Sequence, residues 1–270
     1  MNPELKPATA VTRAEILAGL RMLGLKPGDL AQVHSSLKSF GRVDGGPDAV
    51  IDACLDAVGP AGTLMMPTFN HGQREAYETP ECIFDIKGTR SVNGLITETF
   101  RKRAGVKRSF HPSHPYAAFG PLAEWLIAEH LHLDCFDARS PLGKLCAMNG
   151  WIVLLGCGMN ACTAVHVAQT IYGMPCVGQR QNPWPMRDPK TCSVNTGWTV
   201  IWRDGACPFE FEPVEKRLRE RGQFHEIKIG DATVQALRGP HVITAAVELC
   251  HEYCPTCKRR PILATGSAAL

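Results

Sequence analysis

The tightest constraint on the fold is an alternation of two hydrophobic periods near the start of the chain, punctuated by Gly and Pro. Thr12 followed by Glu15 forms a capping box, and Ile16, Leu17, Leu20 and Leu23 recur on one helical face until Gly24. After the turn Lys26-Pro-Gly-Asp29, the apolar stretch Leu30 to His34 reads as a strand running out into polar His34, Ser35 and Ser36. Gly45, Gly46 and Pro47 introduce a second helix with Val50, Ile51, Cys54, Leu55 and Val58 facing inward, and Gly59-Pro-Ala-Gly62 stops it. Thr63 to Met66 is a further strand. Helix, strand, helix, strand is the pattern of an α/β protein with at least partly parallel pairing. Later, Trp151 to Leu155 is a continuous buried-strand run closed by Gly156 and Gly158, and Thr163 to Tyr172 follows as a helix. Helices are also expected over 93–103, from Pro121, from Pro141, over 213–221 and over 241–253, with strands over 198–202 and 224–229 and a long loop over 67–91. The fold class expected is α/β: a single compact domain over 1–270 with a mixed, partly parallel central sheet flanked by helices, ending in a Cys-rich tail at 250–270.

Composition narrows the partners. With 270 residues, 44% of them hydrophobic, the chain can bury a large core. The balance of 29 basic against 26 acidic residues leaves +3, far from the concentrated positive surface of a phosphate-backbone binder, so nucleic acid is not expected. No apolar run approaches the ~20 residues that span a bilayer, so no membrane is expected either. Twelve Cys are dispersed along the chain, and Met1 to Lys6 lacks the apolar core of a signal peptide. That combination predicts free thiols in a reducing, cytoplasmic setting, with Cys54 and Cys157 acting as small hydrophobes. Oligomeric state is not legible.

The residues suited to chemistry cluster at expected strand ends. His166 stands near the start of a helix that begins above the carboxyl end of the 151–155 strand, where open α/β sheets place ligands. A neutral imidazole there can accept a proton near pH 7, and a carboxylate on its other nitrogen would fix the tautomer. Asp204 is the candidate carboxylate, with Asp188, Glu210 and Glu212 as competitors; spacing alone also allows His166 to serve only as a packing residue. Ser35, Ser36 and Leu37 sit on a strand-to-loop junction whose N–H groups could cradle a pyrophosphate, or make simple turn contacts. At the C-terminus, Cys250, Cys254 and Cys257, with His251 between them, have a spacing that can hold zinc; free thiols and a tail disulfide are the alternatives.

A resemblance unites these signals. Val33-His-Ser-Ser-Leu-Lys-Ser-Phe-Gly41, Gly45-Gly-Pro-Asp-Ala-Val50 and Val58-Gly-Pro-Ala-Gly-Thr-Leu-Met-Met-Pro-Thr-Phe69 resemble the opening of the aminoglycoside 3-N-acetyltransferase family. Arg108-Ser-Phe-His-Pro-Ser-His114, Gly120-Pro-Leu-Ala-Glu124, Ser140-Pro-Leu-Gly-Lys-Leu145, Leu154-Leu-Gly156 and Thr163-Ala-Val-His-Val-Ala168 follow in the family's order. The resemblance implies transfer of an acetyl group from acetyl-coenzyme A to the 3-amino group of a polycationic 2-deoxystreptamine antibiotic. It makes His166 the general base and Asp204 its nearest available carboxylate. It also implies coenzyme A contacts at Ser35, Ser36 and Leu37, with Arg108 and Ser109 adding phosphate or pantetheine contacts. Oxyanion donors are expected among the N–H groups near Ser36 or at Gly156-Cys157-Gly158. His111 and His114 become parts of a substrate loop rather than metal ligands, and no catalytic metal is assigned. Asp85 is an acceptor-binding candidate that equally suits a turn. Gln169 belongs to the acceptor side too, but stands where the family usually has glutamate, which implies weaker or narrower activity.

Overall fold

The computed structural model describes residues 10–70, 83–174, 180–201 and 211–256. The chain runs through α1 (Arg13–Met22), β1 (Leu30–Ser35), α2 (Gly46–Val58), β2 (Thr63–Pro67), α3 (Leu95–Phe100), β3 (Lys107–Arg108), β4 (Tyr116–Phe119), α4 (Ala123–Ile127) and α5 (Pro141–Ala147). It continues through β5 (Trp151–Leu155), α6 (Ala164–Tyr172), β6 (Arg180–Arg187), β7 (Val194–Ile201), α7 (Phe211–Glu220), β8 (His225–Ile229), β9 (Ala232–Arg238) and α8 (Gly239–Tyr253).

Seven strands form one sheet in the order β3-β4-β2-β1-β5-β9-β8. Only its centre is parallel, β1 pairing with β2 on one side and β5 on the other; the flanking strands pair antiparallel. The mixed, partly parallel sheet of the sequence reading is therefore present. β6 and β7 form a separate antiparallel hairpin. Strand alternation divides the core. Ala31, Val33, Leu64 and Val153 face α1 and α2, whereas Leu30, Met65, Ile152 and Leu154 join the cluster that includes residues of α5, α6 and α8. Each fully buried Val, Leu or Ile contributes roughly 1.5–3 kcal/mol to folding.

Local chemistry explains the element ends. The capping box closes α1, with the Thr12 N–H donating to the Glu15 carboxylate at 2.7 Å. Pro47 occupies the first turn of α2. The helix expected over 93–103 is only Leu95–Phe100, and chain reversals at Lys102 and Arg103 follow it. Among the described residues no helix is long and apolar enough to cross a membrane. The eight described cysteines are all free thiols; Cys54 is buried in α2, and burial pushes its pKa up to about 12.

Candidate active site

Carboxyl ends of the parallel strands β1, β2 and β5 lie on one side of the sheet, and α6 begins there after the Gly156-Cys157-Gly158 turn and a 3₁₀ turn at Met159–Ala161. His166 lies in the first turn of α6. Its ring packs between Phe136 and Phe211, with centroids 5.1 and 5.4 Å away, and burial among them holds its pKa below the usual imidazole range. Gln169, one helical turn on and 3% exposed, brings Oε1 to 2.9 Å from His166 Nδ1. An amide oxygen only accepts, so Nδ1 carries the proton and Nε2 the lone pair. That is the tautomer a general base requires. Gln169, expected on the acceptor side, meets His166, because residues three apart on a helix share a face.

A second imidazole lies at the same end of the sheet. Gln32 and His34 occupy the same face of β1, beneath the start of α6, and both are buried. Gln32 Nε2 is 2.9 Å from His34 Nε2, and Thr163 Oγ1, just ahead of α6, lies 3.5 Å from the same nitrogen. Burial pushes the His34 pKa down to about 4. The sequence reading used His34 only as a strand end; the missed signal was a pair of polar residues two apart on the inward face of an apolar strand.

The β1–β5 junction is tightly built. Ser36 N–H donates to Leu155 O at 2.8 Å and Gly156 N–H to Thr233 O at 3.0 Å, so both amides belong to the sheet. The oxyanion and phosphate donors expected near Ser36 and at Gly156-Cys157-Gly158 are thereby left to the neighbouring N–H groups. Gly156 has φ +68°, and a Cβ there would fall 2.6 Å from Ser39 Cβ, so the close approach of the Ser36–Ser39 turn demands glycine. Ser39 Oγ lies 2.6 Å from Gly156 O and 2.9 Å from Ser36 Oγ. Ser35 Oγ is buried without a hydrogen-bond partner among the described residues. Leu37 heads a 3₁₀ turn, Leu37–Phe40, and packs against the core.

This architecture is shared with known proteins. Residues 32–251 match the family model described as aminoglycoside 3-N-acetyltransferase. The chain belongs to that family. Aminoglycoside N(3)-acetyltransferase IV of a Salmonella species is 30% identical, over 87% of this chain and 85% of its own length. The solved structure of AAC-IIIb in a binary complex with CoASH matches with a TM-score of 0.82 at 26% identity, covering 93% of this chain and 100% of that one. A histidine-to-alanine mutant of AAC(3)-IVa in complex with a gentamicin matches with a TM-score of 0.78 at 26% identity, covering 93% and 91% of the two chains. The chain is thus an acyltransferase, as the ordered motifs implied.

Several residues expected to touch ligands of this acetyltransferase are engaged elsewhere. Arg108 is 8% exposed; its guanidinium donates to Thr68 Oγ1 and Thr68 O at 3.0 and 2.7 Å and to the Ile86 and Thr89 carbonyls at 3.1 and 2.6 Å. It clamps the 84–92 loop to the end of β2. Burial pushes its pKa down to about 9. Ser109 is buried, and its Oγ accepts from Tyr116 N–H at 2.8 Å and meets His130 Nδ1 at 2.9 Å. His111 is fully buried, stacked on His130 at 4.4 Å, with Nδ1 accepting from His114 N–H at 3.0 Å. It supports the loop from within. His114 lies nearer the base: its ring is 5.1 Å from Phe136, the ring that also packs on His166. Asp85 is a turn former, accepting from Lys87 and Gly88 N–H at 2.9 and 2.6 Å and lying 3.6 Å from Arg187.

Of the carboxylates considered for His166, Asp204 and Glu210 lie outside the described residues. Asp188 closes the β6–β7 turn by accepting from Lys190 and Thr191 N–H at 2.7 and 2.9 Å, and Glu212 is exposed in α7. The tail cluster gives zinc no support. Cys250 is buried with Sγ 3.6 Å from Met174 Sδ, His251 packs on Tyr172, and Cys257 lies outside the described residues. Among the described residues no three potential ligands gather.

Proposed function

We propose that this acetyltransferase moves the acetyl group of acetyl-coenzyme A directly to the 3-amino group of a 2-deoxystreptamine aminoglycoside, without an acyl-enzyme. The observation that carries this reading is the His166–Gln169 pair, which puts the ring proton on Nδ1 and makes Nε2 the basic nitrogen. A protonated amine cannot attack a thioester, so the acceptor reacts as the free amine after its ammonium proton has gone to solvent; His166 then takes a proton from that amine as nitrogen adds to the carbonyl carbon and passes it to the departing thiolate. The low pKa of His166 keeps it unprotonated at neutral pH. Gln169 holds the ring as a carboxylate would, but adds no charge to stabilise the imidazolium, which supports slower turnover than a carboxylate-paired base would give. Coenzyme A is expected to meet the first N–H groups of the Leu37–Phe40 turn, which have no partner inside that turn. Complexes of relatives with CoASH and with a gentamicin support both ligands.

The neutral Gln169 also favours a second reading, an N-acyltransferase of this fold acting on a less cationic amine. Coenzyme A release followed with a thiol reagent, with and without gentamicin- or kanamycin-type drugs, separates the two. Turnover with the drugs supports the first reading; turnover only with other amines replaces it by the second.

A further inference from the structure

Acetyl transfer creates negative charge on the thioester oxygen, and a donor must meet it. Of the backbone amides expected near Ser36 and at Gly156-Cys157-Gly158, those of Ser36 and Gly156 are held in the sheet. His34 has the opposite situation. As its side chain is placed, Gln32 turns an amide N–H to Nε2 and leaves its own Oε1 buried without a hydrogen-bond partner, and the Thr163 hydroxyl lies 3.5 Å from the same nitrogen; in that orientation Nε2 is the acceptor and the ring proton sits on Nδ1. Nδ1 makes no hydrogen bond among the described residues, although the ring is only 6% exposed. β1, which carries this ring, lies between two parallel strands, and Thr163 links it to the first turn of the helix that bears His166.

We propose that His34 is a second catalytic residue of the acetyl transfer set out above, donating Nδ1–H to the thioester oxygen as the acceptor nitrogen adds. This rests on that reading of the reaction. In the step, the nitrogen lone pair forms the C–N bond and the carbonyl π pair moves onto oxygen, where His34 holds it. His166 takes the amine proton. The oxygen pair then returns, the C–S bond breaks, and the thiolate leaves as coenzyme A with the proton from His166. His34 keeps its own proton throughout, which suits an imidazole that stays neutral.

Two substitutions separate donation from packing. His34→Gln keeps a polar group facing Gln32 and Thr163 but none at the Nδ1 position; His34→Asn puts an amide nitrogen near Nδ1. His34→Gln is expected to lower kcat about 10²–10³-fold, the usual cost of losing one oxyanion donor. KM for both substrates should stay within about threefold, and His34→Asn should keep at least about tenfold more kcat than His34→Gln. A His34→Gln enzyme within about threefold of wild-type kcat overturns the proposal, as does equal loss in both variants with weakened coenzyme A binding and a lowered Tm. Wild-type protein that turns over no amine sinks the acetyl-transfer reading itself, and this proposal with it.

Discussion

Two histidine–glutamine pairs stand on either side of Thr163, and they hold their protons in opposite places. On α6, Gln169 offers its oxygen to His166 Nδ1; on β1, Gln32 offers its nitrogen to His34 Nε2. One ring is left with a lone pair at its far nitrogen, the other with an N–H. A primary amide can do either, since it carries both donor and acceptor, whereas a carboxylate can only accept. Glutamine at both positions thus lets one residue type set two imidazoles in complementary states, which under the proposed reaction would suit one to receive a proton and the other to steady an oxygen.

The comparison can be broken at four points. Removing the base should have the largest effect: His166→Ala is expected to lower kcat about 10²–10⁴-fold with coenzyme A affinity intact, measured by steady-state kinetics and calorimetry. Next is Gln32→Glu, which forces the His34 proton onto Nε2 and should lower kcat about 10²-fold. A silent Gln32→Glu would mean that the amide faces the ring by its oxygen and that the two pairs are alike.

Gln169→Glu should act in the reverse sense, because a carboxylate preserves the His166 tautomer and stabilises its cation. In the wild-type enzyme burial depresses the His166 pKa, so activity should persist below pH 6.5 and fall only as pH drops through that lowered value. The charge in Gln169→Glu should move this acid limb upward and change the neutral-pH rate by less than about tenfold, visible in a kcat/KM profile. Arg108→Ala should leave both pairs untouched. It strands the carbonyls of Thr68, Ile86 and Thr89, so urea denaturation should show a loss of about 3 kcal/mol, while coenzyme A Kd moves by no more than about threefold.

The elements legible in the sequence were those whose signals are local. The Thr12–Glu15 box and the run Trp151 to Leu155 report their own structure. β4 was missed because Tyr116-Ala-Ala-Phe119 is four residues with two alanines, a strand made by its neighbours on the sheet. β9 was missed because Gln235 interrupts its apolar pattern; in the fold that glutamine donates to Glu226 on the paired strand at 2.9 Å. Similar limits shaped the site. The place of His166 in the first turn of α6 was legible from the pattern of the chain. Gln169 was seen as a lost charge, but its contact with His166 needed helical phase. Arg108 read as a cofactor contact because the acceptors it meets come from residues 68–89, and Ser36 read as a free cradle because Leu155 lies over a hundred residues on.

The hydrogen bond between Thr163 and His34 spans 129 positions of chain. A ribosome must therefore release most of the polypeptide before Thr163 can reach His34, and the parallel β1–β5 ladder beneath that contact is the kind of long-range pairing that forms slowly. A fragment ending before α6 would carry His34 without His166.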